Sequence, residues 1–188
     1  MGESNRSRND LDVGRSSFGG EVRRRAPWMM LAVIAGTAMV WIGQTYEEAM
    51  AERIELVFFL PMIVYMSDSI GTETLTLFVR ELSDKDVNLH QLFFKETLVG
   101  FTLGLISGIP MGLISYVWMQ DIGVAFVVAT AMTINGVVAV LVGMLIPIAF
   151  ARFKLDPALG TDEITTALSD NISLLVYLLV ATLVLFSA

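Results

Sequence analysis

Residues 60–78 read LPMIVYMSDSIGTETLTLF, an apolar stretch with two carboxylates, Asp68 and Glu73, near its middle. The stretch belongs to a segment long enough to cross a bilayer, which takes about 20 mostly apolar residues in a helix. A charged side chain at the bilayer centre costs roughly 2.5–3.5 kcal/mol on insertion scales, so it usually faces a protein interior or a water-filled path. The stretch therefore predicts a membrane-spanning helix whose carboxylates meet a polar partner.

The composition of the whole chain indicates an integral membrane protein. Of its 188 residues, 55% are hydrophobic and 16% are charged, whereas soluble domains carry about 25% charged residues. Cysteine is absent and histidine occurs once, so thiolate and histidine zinc sites are not expected. The net charge of −7 argues against a nucleic-acid partner. The predicted fold class is all-α, with five transmembrane helices in a lipid bilayer, at residues 27–45, 56–79, 97–119, 122–151 and 161–186.

The basic residues predict the orientation of these spans. Residues 1–25 are polar and read as a flexible tail, which leaves residues 26–188 as the membrane domain. Of the 12 Lys and Arg residues, all except Arg53 fall before the first span or in the loops that follow the second and fourth spans. The positive-inside rule makes that face cytoplasmic. We expect a multi-pass protein of the plasma membrane, with a cytoplasmic N-terminus and an extracytoplasmic C-terminus.

The fifth span carries a polar stripe. Asp162, Thr166, Asp170, Ser173 and Tyr177 follow one another at intervals of four, four, three and four residues, which places them on one face of a helix. One interpretation is a cation path with Asp170 as its deepest ligand. The other is a packing face, on which small polar side chains bond to neighbouring backbone. We favour the path for Asp170 and the packing role for Ser173 and Tyr177.

The second span adds Asp68 and Glu73 as candidate metal ligands, with Ser69 and Thr72 as auxiliary oxygen donors. Five residues apart on a regular helix, the two carboxylates point about 140° from each other. They converge only if the helix is irregular, and the segment SDSIG tolerates non-helical backbone. We therefore expect an unwound segment here that lines a cavity. The alternative is that Glu73 bonds to the first or third span.

The ligand atoms available at membrane depth are oxygens, which suit hard divalent cations. Mg²⁺ is the expected cargo, with Mn²⁺, Ca²⁺ or Co²⁺ as alternatives, and Zn²⁺ or Cu⁺ fits less well. Asn135 in the fourth span could join this polar interior or make an interhelical hydrogen bond. Gly100, Gly104, Gly108 and Gly112 recur every four residues in the third span and predict a close helix contact.

Three sequence landmarks together resemble the membrane domain of the MgtE family of magnesium channels and transporters. They are LPMIVYMSDSIGTETLTLFVREL at residues 60–82, FKETLVGFTLG at 94–104 and KLDPALGTDEITTALSDN at 154–171. The resemblance covers the five-span region. It implies that Asp170 is a pore carboxylate that binds Mg²⁺, with Thr166 and Asp162 on the same path toward the cytoplasm. It also implies a C2 homodimer of ten helices with the pore on its two-fold axis.

The chain also departs from the family pattern. It has Ser67-Asp68-Ser69 where the pattern has Gly-Gly-Asn, and Glu73 where the pattern has Gln, which adds two carboxylates. Members of the family also carry cytoplasmic regulatory domains that sense Mg²⁺. Because a short tail stands in their place here, we expect their gating mechanism to be absent unless a separate regulatory subunit supplies it.

Four hypotheses remain open at this point. The leading one is passage of a divalent cation, Mg²⁺ first, through a carboxylate-lined path centred on Asp170. The second is a divalent cation exchanger in which Asp68 or Glu73 couples transport to H⁺ or Na⁺. The third is an intramembrane aspartyl protease with Asp68 and Asp170 as its dyad, but neither site resembles the motifs of such enzymes and we expect no enzyme. The fourth is a non-transporting membrane scaffold.

Overall fold

The computed structural model describes residues 18–81, 89–153 and 161–186, and these residues form six α-helices. The helices are α1 (Phe18–Thr45), α2 (Glu47–Glu52), α3 (Glu55–Glu81), α4 (Leu89–Met119), α5 (Ile122–Arg152) and α6 (Thr161–Leu185). All of them except the short α2 are long and apolar enough to cross a membrane. The prediction of an all-helical chain with five spans is confirmed. We call the end of the bundle that holds α2 the α2 end.

Helix α5 forms the centre of the bundle. It packs against α3, α4 and α6, and its apolar residues are distributed around the whole helix, as expected for a helix covered by protein on most sides. Two buried apolar clusters lie along it. One, nearer the α2 end, includes Phe59, Val128 and Leu178, and the other includes Phe78 and Met144.

Helices α4 and α5 approach each other closely along the glycine face predicted from the sequence. A Cβ atom on Gly104 would lie 2.7 Å from the Thr133 carbonyl oxygen, and one on Gly108 would lie 2.7 Å from the Ala129 carbonyl oxygen. A Cβ atom on Gly136 would clash with the carbonyl oxygen of Gly100. The predicted packing role of these glycines is confirmed.

The turn between α4 and α5 is short and capped. Gln120 adopts a left-handed conformation, with φ at 54°. Asp121 follows as the N-cap of α5, and its Oδ1 accepts hydrogen bonds from the backbone N–H groups of Gly123 (2.7 Å) and Val124 (3.1 Å). Its Oδ2 accepts a hydrogen bond from Arg53 at 2.6 Å. This ion pair ties the connection between α2 and α3 to the turn between α4 and α5.

Helix α3 runs without interruption from Glu55 to Glu81, so the predicted unwound segment at SDSIG is wrong. The glycine of that segment serves a different purpose. A Cβ atom on Gly71 would lie 3.1 Å from Ser169 Oγ and 3.5 Å from the Ala139 carbonyl oxygen. Gly71 thus lets α5 and α6 approach the backbone of α3, and the helix keeps its backbone hydrogen bonds because apolar surroundings offer no other partner.

Helix α1 is peripheral, because it packs mainly against α6 and no residue of its apolar window is buried. It begins at Phe18 rather than near residue 27, so residues 18–25 of the segment assigned to a tail are helical. Glu21 and Arg25 form an ion pair at 3.2 Å across one turn of this extension. Side-chain pairs at this spacing stabilise a polar helix end outside the apolar window. Residues 1–17 lie outside the described residues.

Candidate cation path

One hydrogen bond joins the two helices that carry the predicted ligands. The hydroxyl of Thr166 on α6 donates to Asp68 Oδ1 on α3 at 2.8 Å. Thr72, one turn along α3, also lies at hydrogen-bond distance from the same oxygen, at 3.5 Å. A second contact, from the Tyr177 hydroxyl to the Leu56 carbonyl oxygen at 2.9 Å, lies toward the α2 end. Residue numbers therefore rise on α3 as they fall on α6, and the two helices are antiparallel.

This arrangement orders the acidic side chains along the bundle axis. Along α6, Asp162 lies one turn before Thr166 and Asp170 lies one turn after it, each about 6 Å away. Asp170 is the nearer of the two to the α2 end, and Asp162 lies toward the opposite end. Asp68, held by Thr166, sits between them and is within electrostatic range of both carboxylates. The structure thus brings Asp68, Asp162, Thr166 and Asp170 into one column.

Asp170 is the most enclosed carboxylate of the column. Its Oδ1 is buried and has no hydrogen-bond partner among the described residues. The described spans of α3 and α6 carry one basic residue, Arg80, which is about 18 Å along the helix from Asp68. A buried carboxylate oxygen without a cationic side chain nearby needs a proton, a water molecule or a bound cation as its partner.

The outer face of α3 beside this column is an open groove of about 430 Å³. Its lining comprises Tyr65, Asp68, Ser69, Thr72, Glu73, Thr76 and Leu77. Asp68 and Glu73 lie at opposite edges of the groove, as their angular separation on a regular helix requires. Glu73 is exposed and has no hydrogen bond or ion pair with the described residues. Within a single chain, Glu73 is therefore not brought to Asp170.

Asn135 lies outside the column. It is buried on α5, and its Nδ2 donates to the Ser173 carbonyl oxygen at 3.2 Å. The hydroxyl of Ser173 donates to the Asp170 carbonyl oxygen in its own helix at 3.1 Å. These contacts match the packing interpretation for Asn135, Ser173 and Tyr177.

Within residues 18–81, 89–153 and 161–186, no three His, Cys, Asp or Glu side chains converge to hold a metal ion. These parts of a single chain therefore provide no closed cage. Its column of carboxylate and hydroxyl oxygens suits a cation that keeps part of its hydration shell, as Mg²⁺ does.

Sequence reasoning missed a second polar stripe on α6, one residue away from the column. Thr161, Thr165 and Ser169 recur every four residues and are buried, and the same spacing leads to Ser173, which the first stripe already includes. The same spacing was visible in the sequence. Small hydroxyl side chains are common at helix contacts in membranes, however, so their presence did not distinguish them from ordinary packing residues.

Comparison with known proteins assigns the membrane region to a family. The model of the MgtE family, described as divalent cation transporter, matches residues 60–180. Proteins named magnesium transporter MgtE from Bacillus subtilis and Enterococcus faecalis are each 30% identical to the chain over 162 and 163 residues, 85% of its length. The protein of the same name from Thermus thermophilus is 30% identical over 165 residues, 86% of the chain. The chain spans 36% of the length of each of these relatives.

Proposed function

The chain belongs to the MgtE family of divalent cation transporters, and we propose that it carries Mg²⁺ across a membrane along the column of Asp162, Asp68, Thr166 and Asp170. The relatives named as magnesium transporters support Mg²⁺ as the cargo. Membership in a transporter family also favours transport over the protease and the scaffold.

The observation that carries the proposal is the 2.8 Å hydrogen bond from Thr166 to Asp68. It sets the carboxylate of α3 beside the α6 stripe, so carboxylates follow one another along one direction through the bundle. Their spacing of about one helical turn suits a hydrated divalent cation, which can pass from one carboxylate to the next through its own water molecules. Weak binding at several successive sites is what conduction requires.

We propose that two copies of the chain complete the path. Ser69, Glu73 and Thr76 are exposed on α3, and polar side chains at membrane depth normally face protein or water rather than lipid. A two-fold axis beside this face would set two grooves opposite each other and place two copies of each carboxylate around one aqueous channel. Glu73 would then reach the path across the groove, even though it does not reach Asp170 in its own protomer.

Flux of Mg²⁺ into liposomes containing the purified chain tests the proposal. We expect Asp170→Asn, which keeps the size of the side chain and removes its charge, to lower flux by at least tenfold, equivalent to about 1.4 kcal/mol. The matched control is Glu48→Gln, which removes an exposed carboxylate on α2, outside the five spans. This control should transport like the unmodified chain.

The same assay has outcomes that would refute the proposal. Full Mg²⁺ flux in Asp170→Asn would remove Asp170 from the path, and no flux in the unmodified chain would exclude transport by these residues alone. Parallel measurements with Mn²⁺, Ca²⁺ and Co²⁺ identify the preferred ion. Flux that requires a pH or Na⁺ gradient would replace the passive path with coupled exchange.

A further inference from the structure

Buried oxygen atoms without partners concentrate where α3, α5 and α6 meet. We call this place the three-helix seam and define it by Ser67, Asn135, Thr165 and Ser169. Each of these side chains is at most 2% exposed. The hydroxyl oxygens of Ser67, Thr165 and Ser169 and the Oδ1 of Asn135 have no hydrogen-bond partner among the described residues.

Contacts between the helices bring Ser67, Asn135 and Ser169 together, and Thr165 lies one turn from Ser169 on the side away from the α2 end. At Gly71 the three helices meet directly, because a Cβ atom there would contact Ser169 Oγ and the Ala139 carbonyl oxygen. Ser67 lies one turn from Gly71 toward the α2 end, on the same face of α3. Asn135 lies one turn from Ala139 in the same direction on α5. The hydrogen bond from Asn135 to the Ser173 carbonyl oxygen fixes α5 against α6 at that level. The unpartnered Asp170 Oδ1 belongs to the residue after Ser169.

Leaving these atoms unsatisfied is energetically unfavourable. A buried polar group without a hydrogen bond costs about 1–3 kcal/mol, and a bound water or ion is one way in which native proteins satisfy such groups. All of the unpartnered atoms in the seam are oxygens. The Oδ1 atom of Asn135, and that of Asp170 when the carboxylate is ionised, can only accept hydrogen bonds or bind a cation.

The charge of the seam and the close approach of its helices indicate which ion it could hold. The seam offers neutral oxygens and a single carboxylate oxygen, which balances a charge of +1. Mg²⁺ dehydrates reluctantly and would carry water molecules that fully buried side chains exclude. The close approach at Gly71 favours a small ion over a large one.

We propose that the three-helix seam binds Na⁺, with Ser67, Asn135 and Ser169 as neutral ligands and Asp170 as the charged one. This site is distinct from Asp68 and Glu73, to which the sequence assigned ion coupling. Because Asp170 borders both the seam and the path, Na⁺ in the seam would neutralise the carboxylate that Mg²⁺ is proposed to meet.

Thermal unfolding of the purified chain in detergent, with a chelator and no Mg²⁺, tests the site independently of transport. The unfolding temperature is measured in NaCl, KCl and choline chloride at equal ionic strength. A ligand that binds only the folded state stabilises it in a saturable way, so we expect Na⁺ to raise the unfolding temperature with saturation. We expect a smaller effect of K⁺ and none of choline. Equal effects of the three salts, or no effect of any, would overturn the proposal and leave water as the occupant.

Substitutions assign the effect to the seam. Ser67→Ala should be as stable as the unmodified chain in choline chloride, because it removes a hydroxyl that lacks a partner, and should need about tenfold more Na⁺ for half of the stabilisation. The matched control is Ser115→Ala on α4, which also removes a buried hydroxyl without a partner among the described residues but lies outside the seam. A response of Ser67→Ala equal to that of this control would overturn the assignment.

A direct measurement does not depend on any variant. Radioactive Na⁺ should bind to the unmodified chain in the absence of Mg²⁺ and be displaced by unlabelled NaCl, but not by choline chloride. Absence of displaceable binding would overturn the proposal even if salts changed the unfolding temperature.

Discussion

At the residue scale, Thr166 links α6 to the acidic side chain of α3, because its hydroxyl donates a hydrogen bond to Asp68 Oδ1. We expect Thr166→Val to lower Mg²⁺ flux by about tenfold, the effect of losing roughly 1.4 kcal/mol, since Asp68 is then free to turn away from the column. Thr166→Ser should retain most of the flux, because it keeps the hydroxyl. Liposome flux assays check both.

The matched control for this prediction is Thr182→Val on the same helix. The Thr182 hydroxyl donates to the Leu178 carbonyl oxygen within α6, so its removal should leave flux unchanged. If the two valine variants lost flux equally, the contact with Asp68 would have no special role.

We expect Tyr177 to contribute to stability rather than to transport. It is fully buried, and its hydroxyl donates to the Leu56 carbonyl oxygen near the start of α3. We expect Tyr177→Phe to lower the free energy of unfolding by about 0.5–1.5 kcal/mol, the net contribution of one hydrogen bond, without changing flux. Thermal unfolding in detergent measures the loss, and Tyr116→Phe, at an exposed tyrosine, should show none.

Sequence reasoning located some residues of the site better than others. The stripe of Asp162, Thr166 and Asp170 could be predicted because it depends on helical spacing alone. The pairing of Asp68 with Thr166 depends on which two helices pack together, and spacing within one helix does not contain that information. The predicted break at SDSIG failed because Gly71 relieves crowding between helices, and a glycine that does so looks the same in sequence as one that ends a helix.

At the element scale, α4 and α5 pack with almost no side chains between their backbones. We expect Gly136→Ala to destabilise the protein by about 1–3 kcal/mol or more, because the added methyl group has no space beside Gly100 and Gly104. Gly43→Ala on α1, where a Cβ atom would meet nothing within 4 Å, should be neutral or slightly stabilising, since alanine favours the helix. Thermal unfolding of the two variants gives the comparison, and equal stability would contradict the close packing.

The Arg53–Asp121 ion pair connects elements at the α2 end and makes stability depend on pH. The hydrogen bond from the Arg53 guanidinium lowers the pKa of the Asp121 carboxyl below its ordinary value. A depressed pKa stabilises the fold fully above the pKa of the unfolded state, and this stability is lost as pH falls through the folded value. Because both groups are partly exposed to solvent, we expect about 0.2–1 kcal/mol from the pair.

Two substitutions separate the ion pair from the helix cap. Asp121→Asn removes the charge but keeps a good N-cap, so its deficit in unfolding free energy at pH 7 should disappear as pH falls through the lowered pKa of the Asp121 carboxyl. Asp121→Ala should lose about 0.5–2 kcal/mol more, because it also removes the cap. Unfolding curves at several pH values distinguish these effects, and a deficit of Asp121→Asn that stays constant with pH would rule out the ion pair as its cause.

At the scale of the whole molecule, the exposed polar face of α3 predicts a second copy of the chain. The natural sequence has no cysteine, so a single Ser69→Cys substitution reports on that face alone. We expect it to form a disulfide-linked dimer in membranes on mild oxidation. Ile106→Cys on the exposed face of α4 is the matched control and should remain monomeric on a denaturing gel. Equal crosslinking at both positions would indicate random collision.

The overall architecture was more predictable than the site. The five spans could be predicted from the lengths of the apolar segments alone, because a bilayer sets a minimum length for each helix that crosses it. The start of α1 was placed too late, because residues 18–25 are polar, and polarity marks the end of the apolar region rather than the end of the helix. The central position of α5 follows from its apolar surface on all sides. The packing of α1 against α6 cannot be predicted from the residues of either helix.

The docking of α1 has a consequence for biosynthesis. Its main partner, α6, lies more than a hundred residues later in the chain. At about 5–20 residues per second, α1 is in the membrane for on the order of 10 s before α6 is synthesised. It can persist alone because no residue of its apolar window is buried in the bundle and its apolar surface suits lipid. The hydrogen bond from Asn171 to the Ala35 carbonyl oxygen can form only after the last helix is inserted, so the association of α1 with the bundle is a late step of assembly.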